Sequence, residues 1–219
     1  MKKLSALVVL IGLMGGVCEA LAGPLPAYEG RRLFVSYCQL CHGVAGKGDG
    51  ALAKRMHIHP ADLTTTLRSR SDTILKKIIT GEGRQTITGR DRHNLLSEAM
   101  PEWNNVFNDA QVEALIAYLR FLSTSRHQLM GDPEIGGDLY QKYCAVCHGE
   151  FGEGDGVMTK LVNIIPADHS NANEMNPISN DQLIDIIQAG KGQYMPAWKD
   201  ILDQGEIEAL VSYIRLLSN

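Results

Sequence analysis

Apolar side chains recur at helical spacing in two widely separated stretches of the chain. Val112, Leu115, Ile116, Leu119 and Leu122 form one stripe, and Ile207, Leu210, Val211, Ile214 and Leu217 form the other. Such spacing predicts two amphipathic helices. Leu33, Phe34 and Tyr37 mark the inward face of an earlier helix, and Leu139, Tyr140 and Tyr143 mark its counterpart further on. Shorter helices are expected over 74–80 and 183–189, with Gly81 and Gly190 where a helix-ending glycine belongs. Nothing reads as a sheet, so the fold class is all-α.

The pattern occurs twice because the chain is one unit written twice. At an offset of 106 residues Gly30 falls on Gly136, Leu33 on Leu139 and Tyr37 on Tyr143. In the same register Gly46-Lys47-Gly48-Asp49-Gly50 meets Gly152-Glu153-Gly154-Asp155-Gly156, and Pro60-Ala61-Asp62 meets Pro166-Ala167-Asp168. The offset then becomes 95: Met100-Pro101 falls on Met195-Pro196, Trp103 on Trp198, Glu113-Ala114-Leu115 on Glu208-Ala209-Leu210 and Arg120 on Arg215. Two tandem copies of one small domain account for this. The polar stretch 125–132, with Gly131 and then Pro133, is the natural linker, giving domains over 23–127 and 128–219.

Residues 1–22 have the form of a cleaved signal peptide, with Lys2 and Lys3, an apolar run from Leu4 to Val17, and Ala20-Leu21-Ala22 at the end. The run falls short of the about 20 residues that span a bilayer. Gly15, Gly16 and Val17 do not suit an acylated Cys18. Cleavage after Ala22 leaves 197 of the 219 residues, with no other stretch apolar enough to span a membrane. The expected location is the periplasm.

Without Cys18, four of the five cysteines remain, all in Cys-x-x-Cys pairs followed by histidine: Cys38-Gln39-Leu40-Cys41-His42 and Cys144-Ala145-Val146-Cys147-His148. That pentapeptide is the attachment signal for c-type haem. The two thiols add to the vinyl groups, and the next imidazole lands beneath the iron. A thioredoxin-like redox pair needs a βαβ context that is missing here. A four-cysteine zinc site needs both pairs close in space and leaves His42 and His148 unexplained.

Each iron needs a second axial ligand. Met100 and Met195 are the only methionines in matching positions, each within a Met-Pro-x-Trp segment. Thioether sulfur is a soft ligand that raises the potential of a c-type haem, and proline stiffens the loop that holds it. A lone methionine is usually core filler, but two in the same register are not explained that way. His57, His59, His93, His127 and His169 lack histidine counterparts in the other half, and most read as surface histidines. His93 stands apart, seven residues before Met100 in a stretch unique to the first half.

On these motifs both halves resemble class I cytochrome c domains, and the chain is similar to the two-haem members of that family over essentially its whole mature length. The resemblance implies two covalently bound haem c groups. It also implies a backbone carbonyl for each axial imidazole from the proline region after it, for which Pro60 and Pro166 are the matching positions. Trp103 and Trp198 are placed near haem edges or propionates by the same resemblance, although packing explains them equally well. A half of about 100 residues buries a modest core, so each half is expected to need its haem to fold. With both axial positions filled by protein, what remains is outer-sphere transfer of single electrons between redox partners.

Charge is uneven: residues 23–127 hold 14 Lys+Arg against 10 Asp+Glu, a balance of +4, whereas residues 128–219 hold 5 against 14, a balance of −9. Nothing here points to nucleic acid. Either the halves dock different partners, one acidic and one basic, or they attract each other across their own interface. Gly83 to Met100 spans 17 positions where Gly192 to Met195 spans 3; the added stretch, with Arg84, Arg90, Arg92 and His93, is a docking loop or a tolerated insertion. Two rivals to a mobile carrier stay open: a two-haem peroxidase with one open iron, and a haem subunit fixed in a dehydrogenase or reductase complex.

Overall fold

The computed structural model describes residues 27–82 and 100–218. The expected leader over 1–22 and the loop residues Arg84, Arg90, Arg92 and His93 lie outside the described residues. In the first half α1 (Ala27–Leu33) runs through a π-turn (Phe34–Cys38) into α2 (Gln39–His42). Then come α3 (Ala51–Met56), α4 (Leu63–Thr66), α5 (Asp72–Thr80) and α6 (Asp109–Thr124). The second half repeats the order with α7 (Pro133–Tyr143), α8 (Ala145–His148), α9 (Val157–Val162), α10 (Ala172–Met175), α11 (Asn180–Ala189) and α12 (Gln204–Leu217). Among the described residues there is no strand, only an isolated bridge between Lys191 and Met195.

Side-chain caps set where the helices begin. The Ser71 hydroxyl accepts from the Ile74 N–H, and Ser179 forms a capping box with Gln182. These caps start α5 and α11 ahead of the apolar periodicity, which first shows at Ile74 and Leu183. Asn108 with Gln111 and Asp203 with Glu206 form the same box before α6 and α12.

In each half the first long helix crosses the last one, α1 on α6 and α7 on α12. Glycine sits at both crossings. A Cβ at Gly30 would run into the Ala114 carbonyl, and one at Gly136 into the Ala209 carbonyl. The repeated Gly–Ala pairing therefore brings two backbones within van der Waals reach. Phe34 and Tyr140 are fully buried beside these crossings, each contributing about 1.5–3 kcal/mol by burial. The far end of α6 is tied down by Arg120, which donates to the carbonyls of Leu67 and Arg70 and to the Asp72 carboxylate. Arg215 does the same in the second half, donating to the Met175 and Ile178 carbonyls and to the Asn180 side-chain oxygen.

One expectation needs correction. Tyr37 is 48% exposed, although its ring meets Trp103 and Phe107 edge-on. The Gln39 N–H donates to the Phe34 carbonyl, an i→i+5 bond that moves Tyr37 off the helical phase of Phe34. In the second half Cys144 bonds Tyr140 in ordinary α fashion, and Tyr143 stays half-buried.

The halves also pack on each other. Leu216 of α12 is fully buried within the first half's core, and the Tyr28 ring meets Tyr213 edge-on at 4.9 Å. Ser212 accepts from the N–H groups of Met130 and Gly131, holding the connecting segment against α12.

Candidate functional site

Each Cys-x-x-Cys-His pentapeptide closes its helix at the histidine, and the following glycine takes a positive φ: +80° at Gly43 and +82° at Gly149. The glycine-rich run then returns under the histidine, where the Gly48 N–H donates to the His42 carbonyl and the Gly154 N–H to the His148 carbonyl, both at 2.8 Å. This fold-back brings the proline segment up to the imidazole. His42 Nδ1 lies 3.3 Å from the Ala61 carbonyl, and His148 Nδ1 lies 3.1 Å from the Ala167 carbonyl. A carbonyl only accepts, so Nδ1 carries the proton and Nε2 keeps its lone pair. Burial pulls both imidazoles below the usual histidine range, with the carbonyl bond pulling the other way. The neutral ring that results is the form that coordinates metal.

The carbonyl is thus one residue later than expected, on Ala61 and Ala167 rather than on Pro60 and Pro166. The proline carbonyls face another way. A Cβ at Gly48 would meet the Pro60 oxygen, and one at Gly154 would come within 3.1 Å of the Pro166 oxygen. Proline shapes the turn that aims the next carbonyl at the imidazole.

The four pentapeptide cysteines are half-buried. Burial, and secondarily the neighbouring thiol, pushes Cys38 and Cys144 up to about 12. Thioredoxin-like chemistry needs a βαβ context, and among the described residues both pairs sit in helical segments with no strand beside them. Among the described residues no cluster of three or more His, Cys, Asp or Glu side chains could hold a metal ion. The four-cysteine zinc arrangement is therefore not formed.

In the second half Cys144, Cys147, His148 and Met195 open onto one cavity of about 450 Å³, with Ile187, Leu210 and Ile214 in its walls. That volume lies in the ordinary range of cofactor pockets, about 300–1,000 Å³. Two adjacent thiols, an imidazole of fixed tautomer, a thioether and apolar walls fit a covalently held haem. The Lys191–Met195 bridge closes the second methionine loop, with the Lys191 N–H donating to the Met195 carbonyl at 3.0 Å. The Trp198 N–H donates to the Ile187 carbonyl and the Trp103 N–H to the Ile79 carbonyl, both at 3.1 Å. Both methionine loops are thereby pinned to the preceding helix at the same point, and Met100 is half-buried at the start of its loop. Trp198 lines the cavity, and Trp103 stacks on Phe107 at 5.2 Å.

His57 and His59 are exposed, and half-buried His127 donates from Nε2 to the Asn176 carbonyl at 2.9 Å. His169 is not a surface histidine. It is 9% exposed and stacks on His148, with ring centroids 4.1 Å apart and planes 14° from parallel. Its Nδ1 lies 3.0 Å from the Tyr140 hydroxyl. The signal was present in the repeat, because His169 and Tyr140 occupy the register of the apolar Leu63 and Phe34.

The cytochrome c family model matches residues 27–123, and the model for cytochrome c oxidase, cbb3-type, subunit III matches residues 131–214. The cbb3-type cytochrome c oxidase subunit CcoP of Azospirillum brasilense is 28% identical over 196 residues, covering 86% of this chain and 61% of its own. Subunit FixP of Azorhizobium caulinodans is 25% identical over 198 residues, covering 86% and 59%. Cytochrome c6 of Bryopsis maxima is 33% identical over 84 residues, covering 38% of this chain and 90% of its own. The chain spans about three fifths of the length of the oxidase subunits it matches. Among solved structures, the reducing HAO-like protein complex of Kuenenia stuttgartiensis aligns with a TM-score of 0.37 at 20% identity, over 89% of this chain and 99% of its own. With a cytochrome c-type match on each half, the chain belongs to the class I c-type cytochromes, carrying two of their domains in tandem.

Proposed function

We propose that this chain is an exported, periplasmic two-haem cytochrome that passes single electrons between redox proteins. The observation that carries the proposal is the shared cavity of the second half, onto which two thiols, a tautomerically fixed imidazole and a methionine sulfur all open. Cys38 and Cys41 would hold one haem c and Cys144 and Cys147 the other, with His42 and Met100, and His148 and Met195, as axial ligands. The domains are taken as 23–127 and 128–219. When bound, haem iron supplies a one-electron couple. The protein's part is to hold a nitrogen and a sulfur on each iron, to exclude exogenous ligands and to keep the imidazoles neutral. A site closed on both faces leaves no position for peroxide, which disfavours the peroxidase alternative.

The opposite charge balance of the halves supports docking of one acidic and one basic partner, with part of the charge met internally where Arg31 lies 3.6 Å from Glu134. A second alternative, a haem subunit fixed in a larger complex, is favoured by the relatives that are named as oxidase subunits. Carbon monoxide added to the reduced holoprotein tests the main proposal. Neither haem is expected to bind it readily; ready binding at one haem would overturn the carrier assignment in favour of an enzyme. Gel filtration of the native extract separates a carrier, which elutes alone, from a subunit, which elutes with a larger assembly.

A further inference from the structure

The two halves share a backbone but differ beside the histidine of the second pentapeptide. Leu63 and His169 occupy one structural position, since the Leu63 N–H donates to the Gly46 carbonyl at 2.7 Å and the His169 N–H to the Gly152 carbonyl at 2.6 Å. Phe34 and Tyr140 occupy another, both fully buried. The first half places two apolar side chains there. The second places a hydroxyl and an imidazole 3.0 Å apart, with that imidazole face to face on His148. A buried polar group without a partner is costly, and here each member of the pair gives the other one. Tyr140 and His169 share this one hydrogen bond through the hydroxyl and Nδ1. His148 is then held on two sides, by the Ala167 carbonyl at its Nδ1 and by the His169 ring over its face.

We infer that Tyr140 and His169 form a positioning pair, found only in the second half, that fixes the plane of the His148 imidazole and makes the second haem site electronically distinct from the first. Partners of a metal-bound histidine orient the ring and tune its donor strength. A polar, π-rich neighbour in a low-dielectric site also favours the more positive oxidised iron over what a leucine would do. The inference rests on His148 being an axial ligand.

The test is a redox titration and a low-temperature EPR spectrum of the holoprotein, with each haem followed separately. His169→Leu, which restores the first half's residue, is expected to raise the midpoint potential of the second haem and to shift its EPR g-values, leaving the first haem unmoved. His169→Phe is expected to raise the potential while keeping the g-values, because the stacked ring remains. The paired change Phe34→Tyr with Leu63→His, made in the first half, is expected to lower that haem's potential, so the inference stays testable even if the second half tolerates no change. Unchanged second-haem potential and g-values in His169→Leu, or equal shifts at both haems, would overturn it. If the unsubstituted protein shows no histidine–methionine ligation at the second iron, the functional proposal fails instead.

Discussion

The Tyr28 hydroxyl of α1 donates a hydrogen bond to the Glu134 carboxylate of α7 at 3.0 Å, joining the first helix of one half to the first helix of the other. Arg31 and Arg32 reach the same carboxylate at 3.6 and 3.7 Å. Tyr28→Phe is expected to destabilise the docked protein by about 1 kcal/mol. Glu134→Gln should cost a similar amount and lose its salt sensitivity, since it removes the charge met by both arginines. Chemical denaturation at two salt concentrations checks both. Unaltered midpoints would mean that these polar contacts add nothing to the docking of the halves.

At the helix crossing of the second half, Gly136→Ala is expected to be severe, because the new methyl has only the Ala209 backbone to displace. Such overpacking typically costs about 1–3 kcal/mol. The measurable outcome is haem content: one haem per chain instead of two, with the first half retaining its absorbance. Two haems at normal stability would contradict the close approach.

The Asp62 carboxylate caps α4, accepting from the Thr64 N–H at 2.8 Å and from the Thr64 hydroxyl at 2.6 Å. The hydroxyl bond, and then the backbone bond, hold its pKa below the usual carboxylate value. A depressed folded pKa means stability that is present above the unfolded value, about 3.9, and lost as pH falls through the folded one. Asp62→Asn should therefore flatten the acid limb of the stability curve below about pH 4, and Asp62→Ala should cost about 1 kcal/mol at neutral pH. Thermal melts across an acid series read both effects, and an acid limb identical to the unsubstituted protein's would contradict them.

Much of this was legible in the sequence because the repeat doubles every signal. The pentapeptides, the Met-Pro loops, the two C-terminal helices and the helix-ending Gly81, which takes φ +79° as an αL cap, all follow from residue type and spacing. What escaped depends on quantities that spacing does not carry. A carbonyl's direction is set by local backbone torsion, so the acceptor at His42 fell one residue past Pro60. The π-turn at Phe34–Cys38 has no compositional marker. Burial of Leu216 in the opposite half requires knowing how the two units dock. The stacking of His169 was visible in principle, as two polar residues replacing two apolar ones in register, but a single histidine without a counterpart reads as surface.

Met195→Ala is expected to open one iron and leave the other closed. The reduced variant should bind carbon monoxide at one of its haems, about half the total haem absorbance, where the unsubstituted protein binds none. Binding at both, or at neither, would remove Met195 from the ligand set.

Closure of both irons by histidine and methionine is read in the near-infrared methionine–iron charge-transfer band of the oxidised holoprotein. The band is expected at an intensity corresponding to two methionine-ligated haems, falling by half in Met195→Ala. A band worth one haem in the unsubstituted protein, or none, would contradict it.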